Sequence, residues 1–262
     1  MSGAKNLSAP RSKLGPAGSG AQETGAEKPG VGKRPAANLP PVTRLVRRDT
    51  HRLILSKYSP SGDSVLTEIA ENTEHLRDIF DLDGATNDRL LAENQHLPGI
   101  GVHELVFGFP YASVVNASFT HAHPLGGRFN GPDRGAWYAG FELRTAQAEV
   151  AFHKAVQLAE VNRFVDEVTY DDYLADFHGA YHDLRSAPGF AAALDRASYA
   201  VSQQLAERLL NAESAGIVYP CVRRPRGTCI CCFRPALVTH VRKDARYRFQ
   251  WVGSPTPAVT RA

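Results

Sequence analysis

Apolar positions recur along the chain with two different periods, and the predicted elements follow from them. In the basic stretch RLVRRDTHRLILSKY, Leu53-Ile54-Leu55 reads as a strand with Arg52 near one end. Val65, Ile69, Leu76, Ile79 and Phe80 return at helical spacing and predict a helix over 64–80. A second helix is predicted over 86–95, with Thr86 as N-cap. ASVVNASF at 112–119 reads as a strand, residues 128–130 as a short extended piece, and AWYAG at 136–140 as another strand. A helix then starts near Thr145 and carries Glu149. Residues 165–173 and 174–178 read as a strand and an edge, and Leu194, Val201, Leu205 and Leu209 mark an amphipathic helix. GIVYP at 216–220 is a buried strand, followed by strands at 228–233 and 247–252. No regular βαβ alternation appears, so the fold class is α+β, with mixed sheets around a cleft.

Composition narrows the class without naming a function. Hydrophobic residues make up 43% and charged residues 22%, as in an ordinary globular protein, and the net charge of +3 is too small to argue for nucleic acid. Residues 1–43 are rich in Gly, Pro and Ala and hold no aromatic residue, so a disordered tail is expected there. The domain proper then spans 44–252, and 253–262 is expected to be a flexible C-terminal tail. No apolar run reaches membrane-span length and no secretory core is visible, so a cytoplasmic location without membrane contact is expected. The four cysteines, Cys221, Cys229, Cys231 and Cys232, crowd into one short segment. Along a strand Cys229 and Cys231 share a face and Cys232 takes the other, which does not match paired zinc knuckles. Buried thiols, and no metal, are the expectation.

Chemistry concentrates in GGRFNGPDRGAWYAGFELRTAQAEVAFHK, residues 126–154. Arg128 suits a diphosphate through its planar fork, Tyr138 a flat heterocycle, and Glu149 a sugar hydroxyl or a developing cation. No GxSxG elbow or Walker loop is present, and Gly99-Ile100-Gly101 is a lone turn. The four arginines Arg44, Arg47, Arg48 and Arg52 lack interleaved aromatics, which favours a charged edge or anion site over a nucleic-acid face.

The ordered set Gly126-Gly127-Arg128-Phe129-Asn130, Tyr138, Ala146-Gln147-Ala148-Glu149 and Gly216-Ile217-Val218-Tyr219-Pro220-Cys221-Val222-Arg223 resembles the RES domain family of bacterial toxins. The likeness extends over most of 44–252, and Cys221 stands where the family has serine. This resemblance implies an ADP-ribosyltransferase-like fold that cleaves NAD+ at the nicotinamide–ribose bond, with water or inorganic phosphate as acceptor. NAD+ is then a substrate, and no cofactor is implied. Arg128, Tyr138, Glu149 and Cys221 fall on the implied catalytic positions, with Arg52, Phe129, Asn130 and Arg223 as substrate contacts. Implied partners are a cognate Xre-type antitoxin, through which alone nucleic acid would be met, and a second copy in a homodimer. Two other readings stand beside it: ADP-ribosyl transfer to a macromolecule, and an NAD-binding module made inactive by Cys221.

Overall fold

The computed structural model describes residues 39–59 and 99–262, so the helices expected over 64–80 and 86–95 lie outside the described residues, as does the expected tail up to residue 38. Seven strands form one mixed sheet: β1 (Val42–Leu55), β2 (Trp137–Gly140), β3 (Val165–Asp183), β4 (Gly216–Pro220), β5 (Thr228–Cys232), β6 (Thr239–Val252) and β7 (Ala258–Arg261). Their order is β1-β2-β5-β4-β3-β6-β7, and β1 pairs with β3 as well, so five of the strands close on themselves. Among the described residues only the β3–β4 pairing is parallel. Three α-helices among them pack on this frame: α1 (Ala112–Thr120), α2 (Leu143–Glu160) and α3 (Ala200–Asn211).

The strand expected at 112–119 is helix α1. Val115 and Phe119 are spaced one helical turn apart and both are fully buried against the sheet, and this burial outweighs the β preference of the two valines. Asn116 fixes the helix further, accepting from Val106 N–H at 3.0 Å and donating to its carbonyl at 2.8 Å. The strand and edge expected at 165–178 are one continuous strand, β3, bonded on both sides to β1, β4 and β6. Asp171 and Asp172 lie within it and are buried, because the neighbouring strands supply Arg246, Lys243 and His51. The last strand begins at Thr239, well before the expected residue 247, and residues 258–261, read as tail, form β7 against it. In α3, Leu205 and Leu209 are buried as expected, whereas Val201 is exposed.

The core falls into three clusters. One lies between α1 and the sheet around Trp137, Tyr173 and Phe177. A second lies under α3 and includes Phe129, Ile217, Tyr219, Cys221, Cys229 and Cys231. The third lies around Phe249 and Trp251, with Ala146 and Leu158 of α2. The second and third flank the segment in which the chemistry concentrates.

Candidate functional site

The glycine pair at 126–127 starts a tight turn rather than the extended piece expected at 128–130: Gly127 and Asn130 bridge each other, and Gly127 N–H donates to Asn130 O at 3.0 Å. A Cβ on Gly127 would stand 2.4 Å from Asn130 Oδ1 and 2.8 Å from Tyr138 Oη, so a side chain at this position would push the turn apart. Tyr138 holds the turn closed. Its hydroxyl donates to Asn130 Oδ1 at 2.7 Å and accepts from Phe129 N–H at 2.8 Å. Burial drives the Tyr138 hydroxyl pKa well above its ordinary value, so it stays a neutral donor. Asn130 spends its amide on the carbonyls of Gly131 and Arg134. Phe129 is buried and meets Tyr219 edge-on at 4.8 Å. These three expected substrate or catalytic contacts therefore serve the turn itself. Gln203 of α3 adds a brace that sequence reasoning missed, donating to the carbonyls of Gly127 and Leu125.

The turn carries Arg128. That side chain is buried, its guanidinium lies 4.7 Å over the Tyr199 ring, and Nη1 donates to Asp195 O at 2.6 Å. Nη2 is buried and has no hydrogen-bond partner. An unpaired buried donor is costly, and it is the atom an incoming anion would satisfy. Tyr199, the residue before α3, lies within the helical stripe expected from Leu194 to Leu209 but is not part of it, so the pattern did not single it out.

Glu149 is half-buried on α2, one turn beyond Thr145. Thr145 is fully buried and ties the start of the helix to the loop after β4, with Arg224 Nη1 donating to it at 3.0 Å and to Glu142 at 3.1 Å. Across this junction the Cys221 thiol donates to Glu149 Oε1 at 3.0 Å, and Arg224 N–H donates to the Cys221 sulfur at 3.2 Å. Cys229 lies 3.8 Å from the same carboxylate oxygen. A hydrogen bond from the Cys229 thiol lowers the Cys221 pKa, with burial and Glu149 opposing it, while Cys229 itself is pushed well up. Arg223 is held by Arg196 O at 3.0 Å and stacks 3.4 Å over Phe152.

Burial lowers the His153 pKa, Glu149 opposes the shift, and Arg223, Arg128 and His123 add to it. The Arg52 guanidinium bonds Tyr138 O at 3.1 Å and sits 4.9 Å over the Trp137 ring, joining β1 to β2, and burial lowers its pKa to about 10. All four cysteines are free and buried, with Cys229 and Cys231 in one cluster and Cys232 in another, as strand alternation requires. A hollow lined by Gly189, Phe190, Ala193, Val201, Leu205 and Arg208 adjoins the Arg128 contacts but includes neither Glu149 nor Cys221.

An α+β domain with an arginine turn, a helix-borne carboxylate and a thiol at the end of a buried strand defines the class. The family model described as RES domain matches residues 103–252, more than half of the chain. The chain belongs to the RES domain family. Among solved structures it is similar to the M. tuberculosis MbcT–MbcA toxin–antitoxin complex, at 16% identity over 50% of this chain and 73% of that one, with a TM-score of 0.37. No curated protein matches.

Proposed function

We propose that this chain is a toxin-type enzyme that degrades NAD+ by breaking the nicotinamide–ribose bond, and that its fold is ADP-ribosyltransferase-like. The observation that carries the reading is a RES domain in which Arg128 keeps a buried Nη2 without a partner and Glu149 accepts from Cys221. Arg128 Nη2 takes a diphosphate oxygen, removing the cost of its isolation. Glu149 binds a ribose hydroxyl and stabilises positive charge at the anomeric carbon as the bond electrons leave with neutral nicotinamide. Water or phosphate then adds its oxygen to that carbon and gives up a proton, yielding ADP-ribose or its 1-phosphate. Tyr138 acts through the turn, as a positioning residue. Cys221 donates to Glu149 where the family serine stands, and so keeps the carboxylate oriented.

Incubating the purified chain with NAD+, with and without phosphate, and separating the products tests the reading. NAD+ loss in the wild type, with at least ~100-fold less in Glu149→Gln, is the expected result. Intact NAD+ beside an active control overturns it. A second reading, NAD+ binding without turnover, draws on the same hydrogen bond, because a large thiol occupies Oε1. Turnover restored by Cys221→Ser would mark the thiol as the cause. Labelled NAD+ appearing on protein or nucleic acid would instead select ADP-ribosyl transfer. An Xre-type antitoxin covering the cleft and homodimer assembly belong to the same proposal, as does action in the cytoplasm. Among the described residues no helix is long and apolar enough to cross a membrane.

A further inference from the structure

Two thiols and a carboxylate from three different elements meet at one point of the site. We propose that Glu149 of α2, Cys221 after β4 and Cys229 of β5 form a binding site for a thiophilic divalent cation of the zinc class, and that filling it takes Glu149 out of use. The ligand atoms lie within 4.8 Å of one another, with Glu149 Oε1 3.0 Å from Cys221 Sγ and 3.8 Å from Cys229 Sγ. Tetrahedral zinc with ordinary Zn–S and Zn–O bonds holds such atoms roughly 3.6–3.8 Å apart, so changes in separation of about an ångström or less complete the set. Three protein ligands with a free fourth position match an open zinc site rather than a closed structural one. Glu149 keeps solvent contact, which gives the cation a way in, while both sulfurs sit in the apolar cluster under α3.

The surroundings suit the charge. Two thiolates and a carboxylate carry three negative charges, and a divalent cation leaves one. Arg224 N–H already donates to the Cys221 sulfur, the kind of outer hydrogen bond that steadies a metal-bound thiolate. The Arg224 guanidinium is turned to Glu142 and Thr145, and that of Arg223 to Phe152 and Arg196 O, so each has its own partners beside the site. Binding releases the two thiol protons to solvent. Strand spacing among Cys229, Cys231 and Cys232 argued against zinc; the site uses only one of those three, with Cys221 from beyond the turn and Glu149 from distant sequence. Cys231, on the same face as Cys229, instead has its sulfur 4.0 Å from Phe129 O.

The binding half of this proposal stands alone, whereas the inhibition half rests on the NAD+-degrading reading. Cobalt(II) added to the reduced, full-length chain is the probe, because thiolate-to-cobalt charge transfer and tetrahedral ligand-field bands report both ligand type and geometry. The expected result is a single saturable cobalt site with both signatures, displaced by zinc. Cys221→Ser and Cys229→Ser should each weaken it by more than ~10-fold, with Glu149→Gln weakening it and leaving the charge-transfer band. Cys232→Ser, on the opposite face, should retain it; far-UV circular dichroism checks that each variant is folded. Absence of the bands in the wild type overturns the proposal, as does their survival in folded Cys221→Ser and Cys229→Ser. For the second half, zinc should stop NAD+ loss by the wild type and a chelator should restore it. The residual turnover of Cys221→Ser should resist the same zinc concentration. Cobalt bands with zinc-insensitive turnover overturn the inhibition alone. Cobalt bands in a chain that leaves NAD+ intact overturn the enzymatic reading while the metal site stands.

Discussion

Tyr138 shows how a side chain suited to a ligand can be taken up by the fold. Its ring and hydroxyl were candidates for a heterocycle, and its hydroxyl instead closes the turn that presents Arg128. Tyr138→Phe leaves Phe129 N–H without its acceptor in a buried place, which costs about 1–3 kcal/mol. A lower urea midpoint should accompany a fall in NAD+ turnover, since Arg128 sits on the same turn; unchanged stability would show that water replaces the hydroxyl. Arg128 and Glu149 stood out in the sequence because each is a charged group in a distinctive local setting, a glycine pair before Arg128 and the Ala-x-x-Glu of α2. Tyr199 and Gln203 did not, because their roles arise only when α3 folds over the turn.

At the scale of elements, local preference and tertiary demand part company most clearly in α1 and β3. Two adjacent valines read as strand, yet the sheet rewards the i, i+4 pair Val115/Phe119. The division expected between residues 173 and 174 is absent, and the acidic Asp171 within the strand is held inside by cross-strand cations. A similar clamp fastens the short 3-10 turn at Val102–Glu104: Glu104 bonds Arg134 at 2.8 Å and Arg234 at 3.2 Å. The hydrogen bond from Arg134, outweighing burial, lowers the Glu104 pKa from 4.5 to about 2. A carboxyl with a depressed folded pKa contributes stability that is fully present above about pH 4.5 and is lost as pH falls toward 2. Glu104→Gln should therefore lower the melting temperature at pH 7, and the gap to the wild type should narrow on acidification through that window. A gap independent of pH would show that Glu104 contributes packing rather than charge.

At the scale of the whole molecule, β3 is the common member. It supplies Tyr173, Ala175, Phe177 and Tyr181 to the cluster around Trp137, and Tyr170 to the cluster around Trp251. Both tryptophans are almost fully buried, so each reports on its own cluster. A strand shared in this way couples the clusters, and Trp137→Phe and Trp251→Phe should each unfold in urea with coincident fluorescence and circular dichroism transitions. Separate midpoints within one variant would show that the two regions melt independently.

Residue type and spacing determined the α+β class, the extent of the β4 and β5 hairpin, and the identity of the charged groups, because these depend on local periodicity and on chemistry carried by each side chain. Tertiary structure decided which of those groups remain free. It consumed Tyr138, Asn130 and Arg52 in hydrogen bonds, left one donor of Arg128 unpaired, and set Cys221 and Cys229 beside Glu149. The meeting of Glu149 with Cys221 and Cys229 joins residues 72 and 80 positions apart in sequence, where no local pattern carries information.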